Sequence, residues 1–128
     1  MHAATLGGLA SSFALPAGDV TGAAALLRES LPLWQQLGEG QGLTLELSRC
    51  GATLRDAGKV EVAAVIVACV KRVRAEQAFD ELWASRMIEE VDAGIRGRLD
   101  GAAYAEAASR GRAMSLDDAV ELALEALP

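Results

Sequence analysis

Apolar positions recur three and four residues apart along most of this chain, and no stretch alternates strictly between apolar and polar. That period, with Gly and Pro falling at helix-length intervals, predicts an all-α protein. A first helix is expected from about Ala3 to Leu15, broken by Pro16 and Gly18. Asp19 is a natural N-cap for a second, Val20 to Leu37, with Val20, Ala23, Ala24, Leu27, Leu31 and Trp34 on one stripe. Pro32 removes a backbone donor late in that helix and is expected to kink it or split off its last turn. The run "GEGQG" closes it.

A third helix, about Leu43 to Asp56, places Leu43, Leu47, Cys50 and Leu54 on one face and ends at Gly58. The fourth, "KVEVAAVIVACVKRVRAEQ", is apolar nearly all round from Val60 to Val70, which implies burial on several sides. Lys71, Arg72 and Arg74 then suit the negative end of its dipole. A fifth covers about Asp80 to Leu99, with Leu82, Met87, Val91 and Ile95 inward and Glu89, Glu90 and Asp92 outward. A short sixth spans about Gly101 to Arg110 and carries Tyr104.

The ending "GRAMSLDDAVELALEAL" reads as linker, cap and amphipathic helix. Ser115 is the N-cap, Asp118 three residues on completes a weaker capping box, and Leu116, Val120 and Leu124 align, widened by Ala119, Ala123 and Leu127. A helix this short must dock on the body to persist, which makes it a closing cap.

Compared with itself, the chain repeats at an offset of forty residues: "AGDVTGAAALL" from Ala17 against "AGKVEVAAVIV" from Ala57. Such a period means stacked helical hairpins, with Gly at the turn and Ala where helices approach most closely. The spacing Leu47, Cys50, Gly51, Leu54, Ala63 resembles a tetratricopeptide repeat, with Leu47 and Leu54 in place of aromatics and Ala75 in place of a proline. An earlier copy has Ala10, Ser11, Ala14 and Ala23 in the corresponding places. The order of segments, through Tyr104 and the run Gly111 to Leu124, is similar to the C-terminal tetratricopeptide-like region of large actinobacterial multidomain regulators. Those are signalling ATPases that carry LuxR-type DNA-binding or adenylate-cyclase domains. The resemblance covers nearly the whole chain and implies a helical-repeat scaffold that senses ligands or partners. It brings no ATPase, cyclase or DNA-binding activity, because no GxxxxGK[ST] loop, cyclase domain or helix-turn-helix occurs in these residues.

Composition narrows the picture. The 128 residues suit a single domain, 1–128, with hairpins over about 3–75 and the last helices and cap over 80–127. With 52% hydrophobic and only 4% aromatic residues, the core must be built from Ala, Val and Leu. The net charge of −6 argues against nucleic acid as a partner. Eight basic and eight acidic side chains interleave between Lys71 and Arg112, which reads as solvated helix faces. "VEVAAVIVACV" is far shorter than the roughly 20 residues that span a bilayer. The N-terminus lacks the basic residue of a secretory signal, so a cytoplasmic protein is expected.

Little points to catalysis. His2 is the only histidine, which argues against a nucleophile–histidine pair or a histidine metal site. Cys50 and Cys69 are read as buried free thiols, and Trp34 and Trp83 as plugs of core or inter-helix seams. Ser85-Arg86 and Ser109-Arg110 have no evident partner. No catalytic, cofactor-binding or metal-ligating residue is assigned, and no cofactor is expected. The leading expectation is a non-enzymatic protein-interaction scaffold. It would bind a partner or itself as a homodimer, through a concave side or through Leu9, Phe13 and Leu15 of the first helix. The alternative is a sensor holding a small-molecule effector between the apolar fourth helix and Trp83.

Overall fold

Residues 20–128 are described by a computed structural model, and six helices account for most of them. They are α1 (Val20–Leu37), α2 (Gly40–Asp56), α3 (Val60–Glu76), α4 (Leu82–Arg96), α5 (Gly101–Arg112) and α6 (Leu116–Ala126). No strand occurs among the described residues. The predicted Ala3–Leu15 helix, the earlier repeat copy before Val20 and the Leu9, Phe13, Leu15 surface lie outside them.

Short turns bring α2 back against α1, α3 against α2 and α4 against α3. Gly38 (φ +65°) follows α1 and Gly58 (φ +86°) follows α2, both in the left-handed region that a Cβ disfavours. At the second turn the Lys59 N–H reaches back to the Leu54 carbonyl at 2.8 Å, and after α3 the Phe79 N–H reaches the Arg74 carbonyl at 2.9 Å in the same way. The second of these turns puts a non-glycine residue, Ala78 (φ +56°), in the strained position.

Several boundaries differ from the sequence reading, each for a local reason. Pro32 does not split α1, which runs through it to Leu37. Burial of Leu31 and Trp34 on either side holds the last turn in place although one backbone donor is missing. The α2 helix begins at Gly40, ahead of Leu43, because the Glu39 carboxylate caps it by accepting from the Gly42 N–H at 3.0 Å. Glycine is required at position 42, since a Cβ there would lie 2.2 Å from the Trp34 ring. Helix α4 is shorter than the expected Asp80–Leu99, and α5 continues to Arg112.

Helix α3 is the axis. It packs against α2, α4, α5 and α6, which explains its nearly continuous apolar surface. Its buried residues run Ala63 to Val67, then Cys69, Val70, Val73 and Arg74. Two glycines let neighbours approach it. A Cβ on Gly51 of α2 would lie 2.8 Å from Val67 Cγ2, and one on Gly111 of α5 would lie 2.1 Å from the Val65 carbonyl oxygen. Ala107 and Ala108 are buried beside Gly111, so α5 presents a face of small residues and comes very close to α3.

Ser115 caps α6 as expected, accepting from the Asp118 N–H at 3.1 Å. The buried stripe is turned slightly from prediction, to Ala119, Val120, Ala123 and Leu127, with Leu116 and Leu124 partly exposed. Helix α6 doubles back across α3, α2 and α1. It has no basic residue in its last turn. Cations from elsewhere meet its negative end: Lys59 donates to the Ala126 carbonyl, and Arg28 to the Leu127 and Pro128 carbonyls, the latter at 2.6 Å.

Two substitutions test this packing by urea denaturation. Gly111→Ala should cost about 2–3 kcal/mol despite the better helix propensity of Ala, because backbone must move to admit the methyl group. Gly101→Ala, which meets open space, should cost nothing. Ala78→Gly should stabilise by up to about 1 kcal/mol by relieving the left-handed strain. A Gly111→Ala protein of parental stability would contradict the close approach.

Candidate functional site

Ionic groups that the sequence places on solvated faces are partly internal. Asp92, expected to face outward, is 2% exposed. It follows Ile88 by four residues and precedes Ile95 by three, so it shares their inward face. Its carboxylate accepts from Lys71 Nζ at 2.8 Å and from the Tyr104 hydroxyl at 2.7 Å, with Arg96 Nε at 3.1 Å. One side chain of α4 thereby ties α3 to α5. Burial alone would raise the Asp92 pKa, but the Lys71 and Tyr104 bonds, with Arg96, hold it below the usual carboxylate range. The Lys71 ammonium, though partly desolvated, is held above its ordinary value by Asp92 and Glu89.

A second internal carboxylate, Glu46, sits between α1 and α2. It is fully buried, accepts from Ser30 Oγ at 2.8 Å and pairs with Arg49. Desolvation outweighs both partners and raises its pKa. Cys50 and Cys69 are buried free thiols, as the sequence reading has them. Burial pushes both up, with the Glu46 charge adding to it at Cys50 and Arg72 opposing it at Cys69, so neither is a ready nucleophile. Among the described residues, no group of three or more His, Cys, Asp or Glu side chains is placed to hold a metal ion. No helix there is long and apolar enough to cross a membrane.

The outward-facing apolar groups gather at one end. Trp34 is buried, as predicted, but Trp83 is 58% exposed and plugs no seam. Leu82, predicted to point inward, is 63% exposed, and Leu37 is 58% exposed. Both α4 residues lie in its first turn, before Ala84 and Ile88 begin the contact with α2 and α3, so the core face has not yet formed. The end of α1 and the start of α4 are neighbours through the start of α2. Gln41 donates to Glu81, and the Phe79 ring lies 3.8 Å from where a Cβ of Gly40 would stand.

Arg74 is buried beneath this end. Its side chain is 5% exposed, with Nη1 donating to Thr44 Oγ1 at 3.3 Å and Nη2 lying 3.5 Å from Glu81. Its guanidinium also stands 5.8 Å from the Phe79 ring centre. Beside it a cleft of about 400 Å³ opens between α3 and α4, lined by Lys71, Arg74, Phe79, Ser85, Ile88 and Glu89. The sequence reading placed an effector between the apolar α3 and Trp83, but Trp83 does not line the cleft. Periodicity had no means of finding the exposed end, because it assigns a residue to a stripe without saying where along the helix the covering neighbour stops.

Asp92→Asn removes the carboxylate shared by Lys71 and Tyr104 and should cost roughly 2–3 kcal/mol near neutral pH. The folded pKa lies below the reference 3.8, so this stabilisation is present above that pH and lost as pH falls through the folded value. The variant should therefore lose less stability on acidification. Glu46 has the opposite sign: its folded pKa lies above 4.5, so it costs stability as pH rises from there. Glu46→Gln should remove that decline. Urea titrations from about pH 3 to 8 check both, and parental pH profiles in the variants would contradict these assignments. In comparison with known proteins, the chain matches no family model, no curated protein and no solved structure.

Proposed function

We propose that the chain is a non-enzymatic helical scaffold for protein–protein interaction, acting through the end that carries Leu37, Leu82 and Trp83. The observation that carries this reading is their exposure: three large apolar side chains, each more than half exposed, at the end of α1 and the start of α4, which the start of α2 links through the Gln41–Glu81 bond. Apolar groups clustered in water mark a contact surface, and Trp is prominent among residues that dominate binding. Arg74 lies beneath this end, donating to Thr44 and standing 3.5 Å from Glu81, the residue before Leu82.

The resemblance to the tail of bacterial regulators agrees with such a role in the cytoplasm, without direct contact to nucleic acid. A tetratricopeptide-like register is supported by the α2–α3 hairpin, where Gly51 meets Val67 and lies 3.9 Å, from its would-be Cβ, to the Ala63 carbonyl. The return of α6 across three helices departs from a linear stack. A second reading, an effector held between helices, rests on the cleft beside Phe79. A thermal-shift screen would separate it, since a ligand of the folded state raises Tm.

The partner tested first is a second copy, since one apolar patch on both protomers gives an isologous contact. Light scattering of the parent should give the mass of a dimer, and Trp83→Asp that of a monomer. In a Trp34→Phe background, Trp83 emission should move to the blue as concentration rises. A parent that stays monomeric with solvent-like Trp83 emission would contradict self-association through this end.

A further inference from the structure

A groove of about 310 Å³ runs along the seam between α3 and α5, well apart in character from the apolar end. Four of its lining side chains are cations: Lys71 and Arg72 from α3, Arg96 from the last turn of α4 and Arg112 from the last turn of α5. Among the described residues no carboxylate is part of its lining, although Asp92 is bonded to Lys71, Arg96 and Tyr104. In a chain of net charge −6 this gathering runs against the composition. It follows from the packing: the approach of α5 to α3 at Gly111 carries the adjacent Arg112 to the side of Arg72, while Ala68 and Ala108 leave the floor open.

Three of the cations are already held in place. Lys71 is paired with Glu89 and Asp92, Arg72 with Glu76, and Arg96 with Asp92 while standing 4.8 Å from the Tyr104 ring centre. The fourth, Arg112, has no ion-pair partner among the described residues. Both terminal nitrogens of Arg72 are taken, by Glu76 and by the Met114 carbonyl, so the uncompensated guanidinium of the groove is that of Arg112, with Arg96 Nη1 and Nη2 beside it.

We propose that this groove binds the phosphoryl group of a small phosphate ester. Guanidinium forks match phosphate oxygens in pairs, and donors arriving from three helices suit a tetrahedral group better than a planar one. The volume fits a compact ligand, and the overall negative charge disfavours an extended polyanion. This goes beyond the interaction reading and uses none of its residues.

The test titrates the full chain with pyrophosphate, with succinate and sodium chloride at matched ionic strength as parallel arms, read by calorimetry and thermal shift. Pyrophosphate should bind saturably and raise Tm. Arg112→Gln, an exposed change expected to leave the unliganded Tm unaltered, should weaken binding roughly tenfold. Arg86→Gln, exposed and outside the groove, should leave it unchanged. The assignment is overturned by a lack of saturable binding, by succinate binding as well as pyrophosphate, or by equal weakening in Arg86→Gln. A phosphoserine peptide that binds where pyrophosphate does not would likewise overturn it in favour of a protein ligand.

Discussion

The backbone of α5 lies so near α3 at Gly111 that a single methyl group would stand 2.1 Å from the Val65 carbonyl oxygen. Much of the remaining architecture depends on that closeness. A chain with so few aromatic residues cannot fill wide gaps between helices, so its helices must be brought together until Ala and Val suffice. Gly51 does the same for α2 against Val67, and the exception proves the constraint: among the described residues the one large ring buried in the core, Trp34, is admitted only because position 42 is glycine.

Close packing around a single axis also determines where polar groups end up. With α2, α4, α5 and α6 all against α3, its basic C-terminal half cannot remain solvated on every side. Lys71 and Arg74 are drawn inward and meet Asp92 and Glu81, which α4 and its entry supply. These pairs link helices distant in sequence and help select one arrangement, although the carboxylate of Glu46 shows that burial of charge is not uniformly favourable. The two outward-looking features, an apolar end and a cationic groove, are what this scheme leaves uncovered.

Local signals in the sequence were strong enough to reveal the helices. Gly58 and Ser115 mark their boundaries by requirements that few other residues meet, and the apolar sleeve of α3 announces a central position. Partners between helices were not legible in the same way. The period of α4 identifies Val91 and Ile95 but chooses Met87 over the buried Ile88, and it cannot show that Asp92 points toward Lys71, nor that cover runs out before Leu82 and Trp83. The return of α6 is written only in the meeting of its end with Arg28 and Lys59. The basic groove draws on three helices, and along the chain its members are indistinguishable from solvated charges.

A scaffold reading places function in surfaces and stability in the axis, so the axis must be the last element to open. Native-state hydrogen exchange measures this directly, because each amide reports the free energy of the opening that exposes it. Amides from Val65 to Val70 should exchange only through global unfolding, with those of α1 and α6 opening at lower free energy. Faster exchange in Val65–Val70 than in α1 or α6 would contradict the central place given to α3.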